Sequence, residues 1–164
     1  LIAQFSAEIE QEMRAESRLY DGPPVTKLVA ADFDSPATSL TVQPATYGQQ
    51  AGSCFALDYP HSLFESHGGT LRTYWKSHYP ETSVDSNPLA ICLGICGFLI
   101  ISEPGRSLQI VCQHRAGTLA SLESSIGPSF AGSVDWIAGY KSLADLIRDA
   151  ASREIIEELG LHQG

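Results

Sequence analysis

Three carboxylates near the C-terminal end of this 164-residue chain, Glu154, Glu157 and Glu158, have the spacing of a chemical site. If the segment is helical, at about 100° per residue, Glu157 lies roughly 60° to one side of Glu154 and Glu158 roughly 40° to the other. The three acids then share one face. Like charges at i,i+4 spacing destabilise an isolated helix by about a few tenths of a kcal/mol, so the cluster calls for a compensating charge. A divalent cation is the natural one, and hard oxygen donors suit Mg²⁺, Mn²⁺ or Ca²⁺. Arg153 stands four residues before Glu157, a spacing at which a guanidinium can orient that carboxylate. Gly160 follows as the residue just past a helix end, where a left-handed backbone is common. The plain alternative is a solvated acidic face that stops at a glycine. It accounts for the acids and for Gly160, but not for their company: Arg153, the aliphatic Ile155 and Leu161.

Together, Arg153-Glu154-Ile155-Ile156-Glu157-Glu158-Leu159-Gly160-Leu161 resembles the second half of the Nudix box, R-E-U-x-E-E-x-G-U with U aliphatic, and Ala150-Ala151 just before it also looks like that family. The first half of the box is a Gly, five residues, a Glu and seven more. Counting back puts Asp145 at the Glu position and Gly139 at the Gly position, and the shorter Asp is a departure from the pattern. A second alignment takes Ser129-Phe130-Ala131-Gly132-Ser133-Val134 as the strand-to-loop entry of members with a longer loop. Gly132 is then the structural glycine and Gly139 lies in an insertion. The acids are unchanged in either alignment. The resemblance covers about residues 89–164. It implies a hydrolase dependent on Mg²⁺ or Mn²⁺ that cleaves a diphosphate bond in a nucleoside diphosphate linked to another moiety. It also implies catalytic roles for Glu154, Glu157 and Arg153: Glu154 and Glu158 as direct metal ligands, Glu157 as a ligand or as a neighbouring acid held by Arg153. A backbone carbonyl near Gly132 or Gly139 would complete the coordination. A reading of a different class is a binding or regulatory module on a Nudix-like scaffold without turnover. A third is a structural fragment that binds no metal at these acids.

Other elements must position this helix. Leu89 to Ser102 and Ser107 to His114 read as two long strands joined by Glu103-Pro104-Gly105-Arg106, a Pro-Gly turn between apolar runs. Ser142 is a helix cap with Asp145 three residues on, which gives Asp145 a structural role beside any functional one. Leu143, Ile147 and Ala150 fall on the side of the acids, Ile155 and Leu159 on another. The helix is therefore expected to pack on more than one side, with Ala150 and Ala151 allowing close approach. His114 and Arg115 end the second strand. In a Nudix-like arrangement Arg115 would meet a substrate phosphate, and an ordinary exposed strand end accounts for it equally well.

Upstream, residues 1–18 read as an amphipathic helix, with Phe5, Ile9 and Met13 repeating every four residues. Val25 to Phe33 and Leu40 to Val42 read as strands, Asp32 and Asp34 as turn-makers, and Thr70 to His78 as a short helix. His61, His67 and His78 match no tight metal spacing and are assigned surface or hydrogen-bonding roles. The expected fold class is α/β: a Nudix-like mixed sheet with a packed box helix over residues 89–164, preceded by an α+β segment over 1–88. That first segment is read as an extension or accessory domain that shapes the substrate pocket or a homodimer contact. The resemblance further implies strands and a helix after residue 161, so 89–164 is read as the N-terminal part of its domain.

The totals bound the partners. A hydrophobic fraction of 43% supports a core, and a net charge of −9 argues against bulk binding of nucleic acid. A small phosphorylated substrate remains compatible, because a bound metal inverts the local field. No apolar run is long enough to cross a bilayer. Residues 1–20 carry Glu8, Glu10, Glu12 and Glu16, the wrong charge for a signal peptide. The four cysteines, Cys54, Cys92, Cys96 and Cys112, form no C-x-x-C pair. The last three lie in apolar runs and are expected to be buried free thiols in a reducing, cytoplasmic setting. No Gly-rich phosphate loop is present.

Overall fold

A computed structural model describes residues 1–19, 22–34, 36–80, 87–114, 125–140 and 142–161. The chain divides into two compact units, Leu1–Leu93 and Gly94–Gly164. Both combine helix with short strands, so the fold is α/β in the general sense. Among the described residues every strand pair is antiparallel and two-stranded. The parallel pairing that a mixed sheet requires is not among them.

In the first unit, helix α1 (Ile2–Ala15) buries Phe5, Ile9 and Met13, the residues picked out by the four-residue repeat. They join Phe64, Leu71, Leu89, Ala51 and Ala56 in one core. Phe5 and Phe64 are fully buried and meet edge to face at 5.1 Å; burying each such side chain stabilises the unit by about 1.5–3 kcal/mol. Strands β1 (Val25–Asp32) and β2 (Ser39–Ala45) form an antiparallel hairpin with Val29 as an extra, bulged residue. The turn after β1 uses the Asp32 side chain as an acceptor for Asp34 N–H, as expected of a turn-maker. On the other edge of β1, Leu28 N–H donates to Ile91 C=O and Leu93 N–H to Thr26 C=O. Residues 89–93 therefore belong with β1 and do not begin a long strand of the second unit.

The stretch from Pro44 to Pro88, nearly featureless as sequence, holds three helical pieces among its described residues. Helix α2 (Tyr47–Gln50), capped by Thr46, runs into a π-helical turn over Ala51–Phe55. A 3₁₀ turn over Ser62–His67 is capped by His61. Helix α3 (Leu71–His78) starts at a reciprocal cap between Thr70 and Thr73. A cleft of about 440 Å³ opens beside α1, with Ser6, Glu10, Lys27, Gln43 and Ser53 among its lining.

In the second unit three extended stretches each change partner halfway. Strand β3 (Gly94–Gly97) pairs with β8 (Phe130–Ser133), β4 (Ile100–Ile101) with β5 (Gln109–Ile110), and β6 (Gln113–His114) with β7 (Ile126–Gly127). Where the partners change sits Ser129, fully buried. Its hydroxyl accepts from Leu99 N–H at 2.6 Å and donates to Val111 C=O at 2.6 Å, while Val111 N–H donates directly to Leu99 C=O at 3.0 Å. The hydroxyl stands in for a main-chain bond that two continuous strands would make. This is the correction to the expected pair of long strands: the Glu103–Arg106 turn is present, but each long run is split at the exchange. The split leaves faces uncovered. Phe98, Ile100, Leu108, Ile110 and Ile126 are more than half exposed. Cys96 and Cys112, expected buried, are exposed, Cys92 is half-buried, and all four thiols are free.

Ser129→Ala leaves Leu99 N–H and Val111 C=O without a partner in a dry site. The expected cost is about 1–3 kcal/mol, read as a lower urea midpoint at unchanged slope. An unaltered midpoint would show that the exchange does not depend on this hydroxyl.

Candidate functional site

The acidic segment is helical. Helix α4 (Leu143–Leu159) starts at Ser142, whose hydroxyl accepts from Asp145 N–H at 3.1 Å. The same hydroxyl donates to Asp145 Oδ2 at 2.7 Å, and Arg148 donates to Asp145 Oδ1 at 3.0 Å. These bonds, the Ser142 one first, hold the Asp145 carboxyl below its ordinary range. Both of its oxygens are thus taken up at the helix start. At the other end Gly160 has φ +63° and donates its N–H to Ile156 C=O, the left-handed stop anticipated from its position.

The helix packs against β8 and β3. Leu146 and Ala150 are its buried residues, while Leu143, Ile147 and Ile156 are exposed. On another side Ile155 and Leu159 are half-buried. Ala150 does allow the close approach, and one turn further on that same approach brings Glu154 onto β8. Gly132, in β8, lies so near the Glu154 carboxylate that a Cβ at 132 would overlap it. Gly139 is different: it holds φ +99° with open space around it, in a turn between β8 and α4. Of the two glycines singled out in the sequence, Gly132 therefore touches the acidic site and Gly139 serves a turn.

Glu154 is half-buried, and Glu157 and Glu158 are exposed. Burial raises the Glu154 carboxyl above its ordinary range, the charges of Glu157 and Glu158 add to the rise, and Arg153 partly offsets it. The three acids thus feel one another, as the shared helix face requires. Arg153 does not orient Glu157. Its Nη1 makes an ion pair with Asp135 Oδ2, the two side chains being 32% and 26% exposed, and its Nε is buried without an acceptor. Asp135 was not visible as a site residue, because nothing in an 18-residue separation signals a contact. Arg115 lies outside the described residues, and His114 is exposed at the end of β6.

Comparison of the chain with protein-family models, with curated proteins and with solved structures returns no match. Among the described residues no helix is long and apolar enough to cross a membrane.

Two outcomes follow from this packing. Gly132→Ala forces a methyl group into the Glu154 carboxylate and is expected to destabilise the unit by about 1–3 kcal/mol and to displace Glu154. Gly139→Ala meets no atom and costs only backbone strain, so Glu154 keeps its place; carboxyl NMR shifts of Glu154 in both variants check the contrast. The second concerns pH. A carboxyl raised on folding contributes stability that is complete below the unfolded Glu range, about pH 4.3, and is lost as pH rises through the folded value. Glu154→Gln removes that loss. At neutral pH without divalent metal its thermal midpoint is expected to rise by about 1–2 °C, with no gain at pH 3.5 or below. A lower midpoint at neutral pH would contradict the charge assignment.

Proposed function

We propose that residues 94–161 carry the metal-binding part of a Nudix-type hydrolase acting on a diphosphate bond in a nucleoside diphosphate derivative. The observation that carries this reading is the seat of Glu154: a half-buried carboxylate pressed on the Gly132 backbone, with Glu157 and Glu158 near enough to raise its proton affinity. The donors fit in type, since carboxylate and main-chain oxygens are what Mg²⁺ and Mn²⁺ take. They do not yet converge. Among the described residues no group of three or more His, Cys, Asp or Glu side chains stands ready to hold an ion. Glu157 and Glu158 are exposed, and Glu154 lies against Gly132. Glu154 and Glu158 would hold the ion directly, and Glu157 would be a third ligand or a neighbouring acid. When bound, the metal supplies polarisation of a phosphoryl oxygen and a lower pKa for attacking water.

The chain's own residues do the positioning. Asp135 pairs with Arg153, whose charge partly offsets the rise at Glu154. The Ser142–Asp145–Arg148 cap holds the start of α4, so that Ala150 and Glu154 keep their register on β8.

The test is phosphate release from a panel of nucleoside diphosphate derivatives with Mg²⁺ or Mn²⁺. Glu154→Gln and Glu158→Gln are each expected to lower the rate on the order of 100-fold or more with the fold retained. Metal-dependent turnover that survives both substitutions would sink this mechanism. Binding of the panel without turnover would assign the chain instead to a Nudix-like binding module, which the lack of convergence of the three acids favours.

A further inference from the structure

Of the three histidines in the first unit, one is fully occupied and two are not. His61 caps the 3₁₀ turn: its Nδ1 accepts from Leu63 N–H at 3.3 Å, and its Nε2 lies 3.1 Å from Glu8 Oε2. His67 and His78 are eleven positions apart in sequence but adjacent in space, with ring centroids 5.0 Å apart and planes at 79°. Gly68 and Gly69, at φ +86° and +85°, turn the chain between the 3₁₀ turn and α3 and so bring His67 back over that helix. Tyr74 stacks on His78 at 4.1 Å and meets His67 at 5.0 Å, which restrains both imidazoles.

His78 Nδ1 lies 2.9 Å from both Tyr74 C=O and Ser77 Oγ. In the tautomer whose Nδ1 donates to the carbonyl, Nε2 is the unprotonated nitrogen. A main-chain carbonyl on one nitrogen with the other left open is how metal-ligating imidazoles are oriented. With metal–nitrogen distances of about 2.0–2.1 Å and tetrahedral angles, two imidazoles on one ion have ring centres roughly 5 Å apart. His78 also ends α3, where the last carbonyls favour a cation.

We propose that His67 and His78 form a two-imidazole site for a borderline transition-metal ion of the Zn²⁺, Ni²⁺ or Cu²⁺ class. Among the described residues no third His, Cys, Asp or Glu completes the set, so the remaining positions are open to water or to an external ligand. This site uses nitrogen donors and is independent of the oxygen donors proposed on α4.

Cu²⁺ is the probe, added at one equivalent to the full chain and read by electron paramagnetic resonance. The expected spectrum shows hyperfine splitting from two imidazole nitrogens. His67→Gln and His78→Gln are each expected to weaken binding roughly 100-fold and to abolish the two-nitrogen pattern. Glu154→Gln with Glu158→Gln leaves that pattern intact. A spectrum with oxygen ligands only, a two-nitrogen spectrum that persists in both histidine variants, or one lost on removing His114 would overturn the proposal. Circular dichroism confirms that each variant keeps its helices. Titration of Zn²⁺ followed by the His67 and His78 ring NMR signals gives a second reading, and ring shifts unmoved by a twofold excess of Zn²⁺ would likewise overturn it.

Discussion

Glu154 and the backbone of Gly132 occupy adjoining space that admits no side chain at position 132. Much of the second unit is arranged around that contact. It requires a small residue on the helix one turn earlier, which Ala150 supplies, and it requires β8 to present main chain where other strands present side chains. It also sets which acid is desolvated. Glu154 lies in the interface while Glu157 and Glu158, on either side of it around the helix, stay in water. The result is graded: burial raises the Glu154 carboxyl, and Glu157 and Glu158 are exposed.

The features that were legible in the sequence are local. Phe5, Ile9 and Met13 mark α1 because a helix core repeats at its own period. Ser142, Asp145 and Gly160 mark the ends of α4 because caps act over three or four residues. The face shared by Glu154, Glu157 and Glu158 follows from helix geometry alone. What was not legible depends on residues far apart. The partner exchange around Ser129 joins Leu99, Val111 and Ser129, and no periodicity in any one stretch records it. Strand propensity read 89–102 as continuous because Ile, Leu and Cys favour strands whichever partner they take. The partner of Arg153 was misjudged for the same reason: helical spacing suggested Glu157, while the fold supplies Asp135. His67 and His78 match no tight metal spacing in the sequence because two left-handed glycines, and not a motif, bring them together.

The two units handle polar groups in different ways. In the first, a histidine, a hydroxyl and the thiols are tied to main chain. His61 links the 3₁₀ turn to Glu8 of α1, and Ser53 accepts from Ala90 N–H while Cys54 donates to Ala90 C=O at 3.3 Å. Burial raises the thiols of Cys54 and Cys92, the latter to about 11, so both are neutral donors at ordinary pH. In the second unit the hydroxyls of Ser129 and Ser142 are tied to main chain in the same way, while Phe98, Ile100, Leu108, Ile110 and Ile126 face outward.

The β1–β2 hairpin carries a safeguard against mispairing. Thr26 C=O bonds to Leu93, so the main-chain polar groups of Thr26 face away from β2. Its cross-strand neighbour Pro44 must therefore turn its own main chain outward, to the open edge of β2. A proline there removes no bond from the ladder, and it deletes one donor that an incoming strand would need. With the bulge at Val29 adding local twist, the outer edge of β2 is a poor template for another strand. Selection against unwanted association is thus written into the backbone of the hairpin, at the cost of a single N–H.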